Sequence, residues 1–124
     1  DVQLHTHRHR LTLENVQNLT KELTDNRSAL AAMSNVPLEH FCYPSGVWSE
    51  QCWPILQAAG VKSATTTIQG LNYAGANPMK LKRLLDGESV HDLEFEAELS
   101  GLFDLKRMAL ASMRHWIRRS HPIP

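Results

Sequence analysis

Apolar residues near the start of the chain fall at Leu13, Val16, Leu19, Leu23, Leu30 and Met33. Steps of three, four and seven place them on one side of a helix, and the spacing predicts a helix over residues 12–33. Asn26 and Arg27 interrupt the stripe. Thr12 suits the N-cap, Glu14 suits the first turn, and Pro37 follows the end. Residues 2–5 read as a short strand before this helix, and residues 39–43 as a second strand after it. Pro44-Ser45-Gly46 stops the second strand, because proline lacks the ladder donor and glycine relaxes the backbone. Ser49 can cap a further helix that runs to Ala59 and closes at Gly60. Pro54 removes a donor there, so that helix is either kinked or begins near Trp53. Residues 61–66 read as a third strand. Residues 67–78, with Gly70, Asn72, Gly75 and Asn77, read as a loop long enough to carry function. Residues 81–85 suggest a fourth strand, and Ser89 with Asp92 forms a weak capping box for another helix. Gly101 should bend that helix. Leu102, Leu105, Met108, Ala109, Met113, Trp116 and Ile117 then continue at helical spacing.

Strands alternating with helices predict an α/β fold with a parallel sheet. Such strands bury both faces and belong to a larger sheet or barrel, since four alone leave open edges. The first residue is Asp rather than Met. Together these observations lead us to expect a chain whose beginning is missing. We expect residues 1–101 to form one portion of a domain and residues 102–124 a basic helix and tail.

Hydrophobic residues make up 42% of the 124, which argues against disorder. Lys plus Arg equals Asp plus Glu at 13 each, so no global charge argument points to nucleic acid or a membrane. The distribution is uneven. Lys106, Arg107, Arg114, Arg118 and Arg119 face no acidic residue from position 106 onward. They make either a solvated face or a contact for an anionic surface. Cys42 and Cys52 set no disulfide framework and are expected free and partly buried. No stretch reaches the roughly 20 apolar residues of a transmembrane helix. A targeting segment would lie upstream, so the compartment is open.

The candidate chemistry sits in "VQLHTHRHR", residues 2–10, where His5, His7 and His9 alternate. On an extended strand His5 and His9 would stand about 13 Å apart, too far to share an ion that imidazole ligates at about 2.0–2.1 Å. If the strand ends near His5 and the chain curls, positions i and i+4 become neighbours and the pair can hold one cation. His7 then points away. Two histidines do not complete a catalytic site, which takes about three protein ligands and an open position. No Asp or Glu has an obvious geometric claim: Asp1 is poorly placed, and Glu14 and Asp25 lie on the departing helix. A run of alternating histidines can also be no more than solvated side chains at the surface, or a fortuitous chelator.

Three motifs narrow the choice. "HTHRH" resembles the H-[ST]-x-x-H metal motif of the polysaccharide deacetylase (NodB-homology) family of carbohydrate esterases. "FCYPSG", residues 41–46, resembles the F-x-Y-P-x-G element of one branch of that family. "ILQAAGVKSATTT", "GLN" and "NPMKLKRL" follow the same branch in order and spacing. The resemblance covers about residues 1–101. It implies a distorted (β/α) barrel of the glycoside hydrolase/deacetylase type, here its C-terminal half with the N-terminal strands missing. It also implies a divalent metal, by default zinc, on His5 and His9 with an aspartate as third ligand. Thr6 would shape the motif loop. Water activated by the ion would attack the acetyl carbonyl of an N-acetylated polysaccharide, an aspartate acting as base. The backbone N–H of Ser45 would steady the oxyanion, and Arg83 would either line the site or stand as a surface charge at the strand end. Tyr43 is a candidate for a sugar contact, and Trp48 either stacks on a sugar ring or is buried against the barrel.

The departures are as informative. The family's early Asp-Asp pair, which supplies the base and third ligand, is absent and would lie upstream of Asp1. Cys42 replaces the Arg of another branch's motif. The late L-x-H motif has no clear match; His91 is a weak candidate, and a solvent-facing helix-start histidine is the simpler reading. The fragment alone is therefore expected to be inactive. The rival reading is a histidine-rich module that binds metal without catalysis.

Overall fold

The computed structural model describes residues 1–120 other than Leu13, Asn15 and Leu85, with the side chains of His115 and residues 117–120 set aside. Two compact units emerge: residues 1–68 with 72–83, and residues 69–71 with 84 onward.

In the first unit the apolar stripe folds as α1 (Asn18–Leu30), six residues later than the spacing predicts. Thr12 is not its N-cap. Gln17 holds that position without a side-chain cap, and Val16 anchors the entry by accepting from the Leu19 amide. Leu19 and Leu23 enter the core, where burying each contributes about 1.5–3 kcal/mol. The expected opening strand is reduced to a single parallel bridge of Leu4 to Phe41. The Leu4 amide donates to His40 and its carbonyl accepts from Cys42.

The second strand is β1 (His40–Cys42). A tight turn follows over Pro44–Gly46, with Ser45 at φ 52° and Gly46 at φ 70°. Ser49 caps as expected, accepting from the Gln51 amide at 3.2 Å, but it caps a short 3₁₀ turn, Glu50–Cys52. The helix proper, α2 (Trp53–Ala58), begins at Trp53 because Pro54 fits only in a first turn, where its missing N–H costs nothing. Then come β2 (Ser63–Gln69) and β3 (Leu81–Arg83), the latter shorter than predicted; Leu85, also assigned to that strand, lies outside the described residues. Among the described residues the sheet has the order β1-β2-β3, with β1 parallel to β2 in the register Phe41 to Ala64 and Cys42 to Thr65. Parallel strands joined by helices form an arc of a β/α barrel. Alternation sorts β2: Ala64 and Thr66 are buried, while Ser63 and Thr65 are partly exposed on the other face. Leu4, Leu19, Phe41, Tyr43, Leu56 and Ala64 share the core with α1 and α2.

The second unit holds α3 (Asp92–Leu99) and α4 (Leu102–Ser120), separated at Gly101 with φ 78°. Gly101 does more than bend a helix: its left-handed backbone ends one and starts the next. His91 is the N-cap of α3, exposed and without a side-chain cap bond, so neither Ser89 nor Asp92 forms the expected box. Arg107 ties the pair together. It donates to both oxygens of Glu98, at 2.8 and 2.7 Å, and to Asp104 at 2.8 Å. These hydrogen bonds hold the Glu98 carboxyl below its ordinary range despite its burial. That stabilisation is complete above the ordinary carboxylate value and is lost as pH falls through the depressed one. Arg107→Ala leaves the buried Glu98 without its ion pair and removes one partner of Asp104, which still accepts from the Leu71 amide, and we expect a loss of about 2 kcal/mol at pH 7 that shrinks on acidification, read from urea melts across pH.

Candidate metal centre

After Leu4 the chain runs through His5 and Thr6 into a turn. Residues 7–9 form a turn in which the His9 amide reaches the Thr6 carbonyl at 3.4 Å, and His9 itself sits at φ 54°. This is a tight turn with a left-handed residue rather than the helical curl considered above. It has the same outcome for the side chains: the His5 and His9 rings lie 4.9 Å apart between centroids, inclined at 55°.

His5 is fixed at both ends. Its amide donates to Asn26 Oδ1 at 2.9 Å, and its Nδ1 contacts the Cys42 carbonyl oxygen. A carbonyl can only accept, so Nδ1 carries the proton and Nε2 keeps its lone pair. A backbone oxygen that fixes the tautomer in this way is the usual support of a metal-ligating histidine. Phe41 packs beside the ring at 6.4 Å. His7 is exposed.

The turn is gripped from α1. Glu22 Oε2 accepts from the Arg8 amide at 2.9 Å and Oε1 from Arg8 Nε at 2.7 Å. Glu22 is only 4% exposed. Burial pushes its carboxyl up, but the Arg8 amide and guanidinium together outweigh it and hold it below the ordinary value. Glu22 and Asn26 stand four residues apart on one helix face, so the two side chains clamp both limbs of the histidine turn. Neither is evident from the motif itself. The available signal was polar residues beside a stripe that should be apolar.

Ser45 sits where β1 ends, in the left-handed conformation, exposed, and its amide has no acceptor among the described residues. Gly46 lies hard against β2: a Cβ there would fall 2.0 Å from Thr67 Oγ1. The Pro44–Gly46 turn and the C-terminal part of β2 are thus in contact beside the strand that carries the His5 anchor. Arg83, at the end of β3, brings Nη1 to 3.7 Å from Cys42 Sγ, so it too stands near that anchor. Both cysteines are free.

The remaining expected residues fall elsewhere. Tyr43 is 1% exposed, meets Phe41 edge-on at 5.2 Å and donates to the Met79 carbonyl at 3.0 Å. Burial raises its phenol far above the ordinary value. Alternation along the strand turns it inward, so its side chain has no surface to offer a sugar, and the expected contact is corrected to a core role. Trp48 is half-buried against the core, stacked with Trp53 at 6.5 Å and covered by Lys80 Nζ at 4.0 Å. Thr6 is buried in the motif turn with its hydroxyl unpartnered among the described residues. His91 belongs to the second unit.

The donor set suits a borderline cation, with two imidazoles adjacent and one tautomer fixed. It is not a full set. Among the described residues no cluster of three or more His, Cys, Asp or Glu is placed to hold a metal.

Comparison with known proteins places these features. The polysaccharide deacetylase family profile matches residues 1–64, which contain the histidine turn, its α1 clamp and the Pro44–Gly46 turn. The fold is similar to that of the deacetylase PplD of Streptococcus pyogenes, solved in complex with acetate, with a TM-score of 0.62 and 20% identity. The match covers 77% of this chain and 43% of that one, so the chain spans less than half the length of that relative. No curated protein sequence matches the chain.

Proposed function

The chain belongs to the polysaccharide deacetylase family, and from this we propose that its domain removes N-acetyl groups from a polysaccharide, using a divalent cation, by default zinc, held by His5 and His9. The carrying observation is the convergence of those two rings with the His5 Nδ1 proton committed to Cys42. When bound, such a cation supplies a Lewis acid for the acetyl carbonyl and a water acidic enough to attack near neutral pH.

The chain's own residues supply orientation. His5 and His9 bring their rings side by side, 4.9 Å apart between centroids, with Glu22 and Asn26 holding the turn. The Ser45 amide, held outward by its left-handed backbone, donates to the oxyanion as the carbonyl becomes tetrahedral. One such donor is commonly worth about 3–4 kcal/mol. Arg83 lines the strand ends near Cys42 and offers a positive charge to the sugar or the leaving acetate. Trp48 contributes at most a ring edge, since Lys80 covers a face. The base and a third ligand do not come from a described cluster, so the isolated chain is proposed to be inactive. Pure chain incubated with an N-acetylated chito-oligosaccharide and zinc should release no acetate, and turnover would refute that part.

A second reading, a metal-binding module without catalysis, is favoured only by the lack of a third ligand beside the pair among the described residues. One titration separates the two. The deacetylase reading expects His5→Ala and His9→Ala each to abolish cobalt or zinc binding, with His7→Ala close to the parent. The module reading expects His9→Ala to keep binding through His5 and His7. Binding measured by calorimetry and by cobalt absorption decides between them.

A further inference from the structure

Helix α4 presents a second surface, unrelated to the histidine turn. At 100° per residue, Leu102, Leu105, Ala109, Met113 and Trp116 fall within an arc of about 80°. Of these, Leu105 is 65% exposed, Met113 58% and Trp116 68%, and Leu102 is also open. Leu102, Leu105 and Met113, large apolar side chains left in water over about three turns, signal a partner. Positive charge flanks and backs the row: Lys106 borders it, and Arg107 and Arg114 lie round the helix. No Asp or Glu follows Asp104, while Arg118 and Arg119 continue the same helix. Arg107 is already engaged by Glu98 and Asp104, which leaves Lys106 and Arg114 as the described cations for an outside partner.

We propose that α4 docks in the plane of an anionic lipid bilayer, its apolar row in the acyl boundary and its cations among the headgroups. Three features favour this occupant. The combination of an apolar row, a tryptophan and a basic flank is that of an interfacial helix. No helix among the described residues is long and apolar enough to cross a membrane, so the expected mode is lying on the surface. A second copy of the chain fits poorly: the row covers about two heptads where a coiled coil needs about three or four, and its border would set lysine against like charge with no acid to pair. A nucleic acid or other polyanion would use the charge and leave the apolar row unexplained.

The test is flotation of the full chain with vesicles. Phosphatidylcholine carrying roughly one third phosphatidylglycerol should bind the chain, and phosphatidylcholine alone should bind it far less. Lys106→Ala with Arg114→Ala should weaken binding roughly thirtyfold, at about 1 kcal/mol per charge, and added salt should act in the same direction. Leu105→Glu with Met113→Glu should cost at least about tenfold, with the far-UV circular dichroism unchanged because these side chains are exposed. If glutamate perturbs the helix, Leu105→Ser with Met113→Ser serves instead. Equal binding to neutral vesicles, no binding at all, or indifference to the apolar changes would overturn the proposal. So would self-association without lipid that the apolar variant abolishes, since that outcome assigns the row to a second copy.

Discussion

Glu22→Ala is expected to damage the histidine turn more than any change at an exposed position near it. The carboxylate receives two hydrogen bonds from Arg8, one of them from a backbone amide, and it is buried. Removing it leaves that amide without its acceptor and frees the turn that presents His9. Hydrogen bonds to a charged group are worth about 1.5–3 kcal/mol, so the unfolding free energy should drop by about 2–3 kcal/mol. Supports one step behind a ligand typically carry about a tenfold to hundredfold share of metal affinity, and cobalt or zinc binding should fall by that factor. A core variant separates the two effects. Leu56→Ala costs about 2–5 kcal/mol through its cavity but touches neither histidine, so its cation affinity in native conditions should stay near the parent's. Glu22→Gln keeps an acceptor without the charge and should fall between parent and alanine. If Glu22→Ala and Leu56→Ala move affinity equally, the clamp has no specific role. Asn26→Ala should act in the same direction, less than additively, because both side chains restrain one turn.

Gly46→Ala is the second large expected effect, and it separates two physical costs. Gly46 has φ 70°, where a side chain is disfavoured by about 1 kcal/mol. Its added Cβ would also meet Thr67 Oγ1 at 2.0 Å, Cγ2 at 2.7 Å and Cβ at 2.8 Å. The nearness of the threonine Cβ means that rotating its side chain does not clear the overlap. We expect a total loss of about 3 kcal/mol, from backbone strain and overpacking together. In a double-mutant cycle with Thr67→Gly, the steric part should be recovered and the backbone part should persist. A coupling near zero would mean that the turn and β2 do not press together as described. Because Ser45 precedes Gly46, the same variant should also lower acetate release by any assembly in which the whole domain is active.

The order of elements was largely legible in the sequence. Prolines and glycines punctuate it, and their effects are local: Pro54 starts α2 at Trp53, Gly60 closes it, and Gly101 divides the last two helices. Boundaries were less legible where tertiary contacts compete with propensity. Thr12 offered a good cap, yet α1 starts at Asn18, where Val16 and Leu19 find the core. Residues 2–5 became one bridge at Leu4, and the turn that serves the histidines follows within a few residues, at 7–9.

The interruption of the α1 stripe shows why the rest was hidden. In the sequence Asn26 and Arg27 only weaken a pattern. In the fold Asn26 holds the His5 amide, while Arg27 bonds the carbonyls of Leu38 and Ala59 at 3.0 and 2.8 Å. Each partner lies eleven or more residues away, beyond the reach of any local periodicity. Tyr43 shows the converse: its place in a recognised motif suggested a role at the sugar, and strand alternation turned it into the core.

By itself the sequence determined that helices and strands alternate and that a turn over Pro44–Gly46 stops the second strand, and it made His5 and His9 the pair expected to converge. Those outcomes follow from short-range chemistry: ring geometry, missing donors and the period of apolar residues. Only the tertiary structure decided that the pair does converge, through a left-handed turn, with Cys42 choosing the tautomer of one ring and Glu22 and Asn26 holding the loop. Those decisions depend on groups distant in sequence becoming neighbours in a low-dielectric interior, where an unpaired amide or carboxylate is too costly to leave alone.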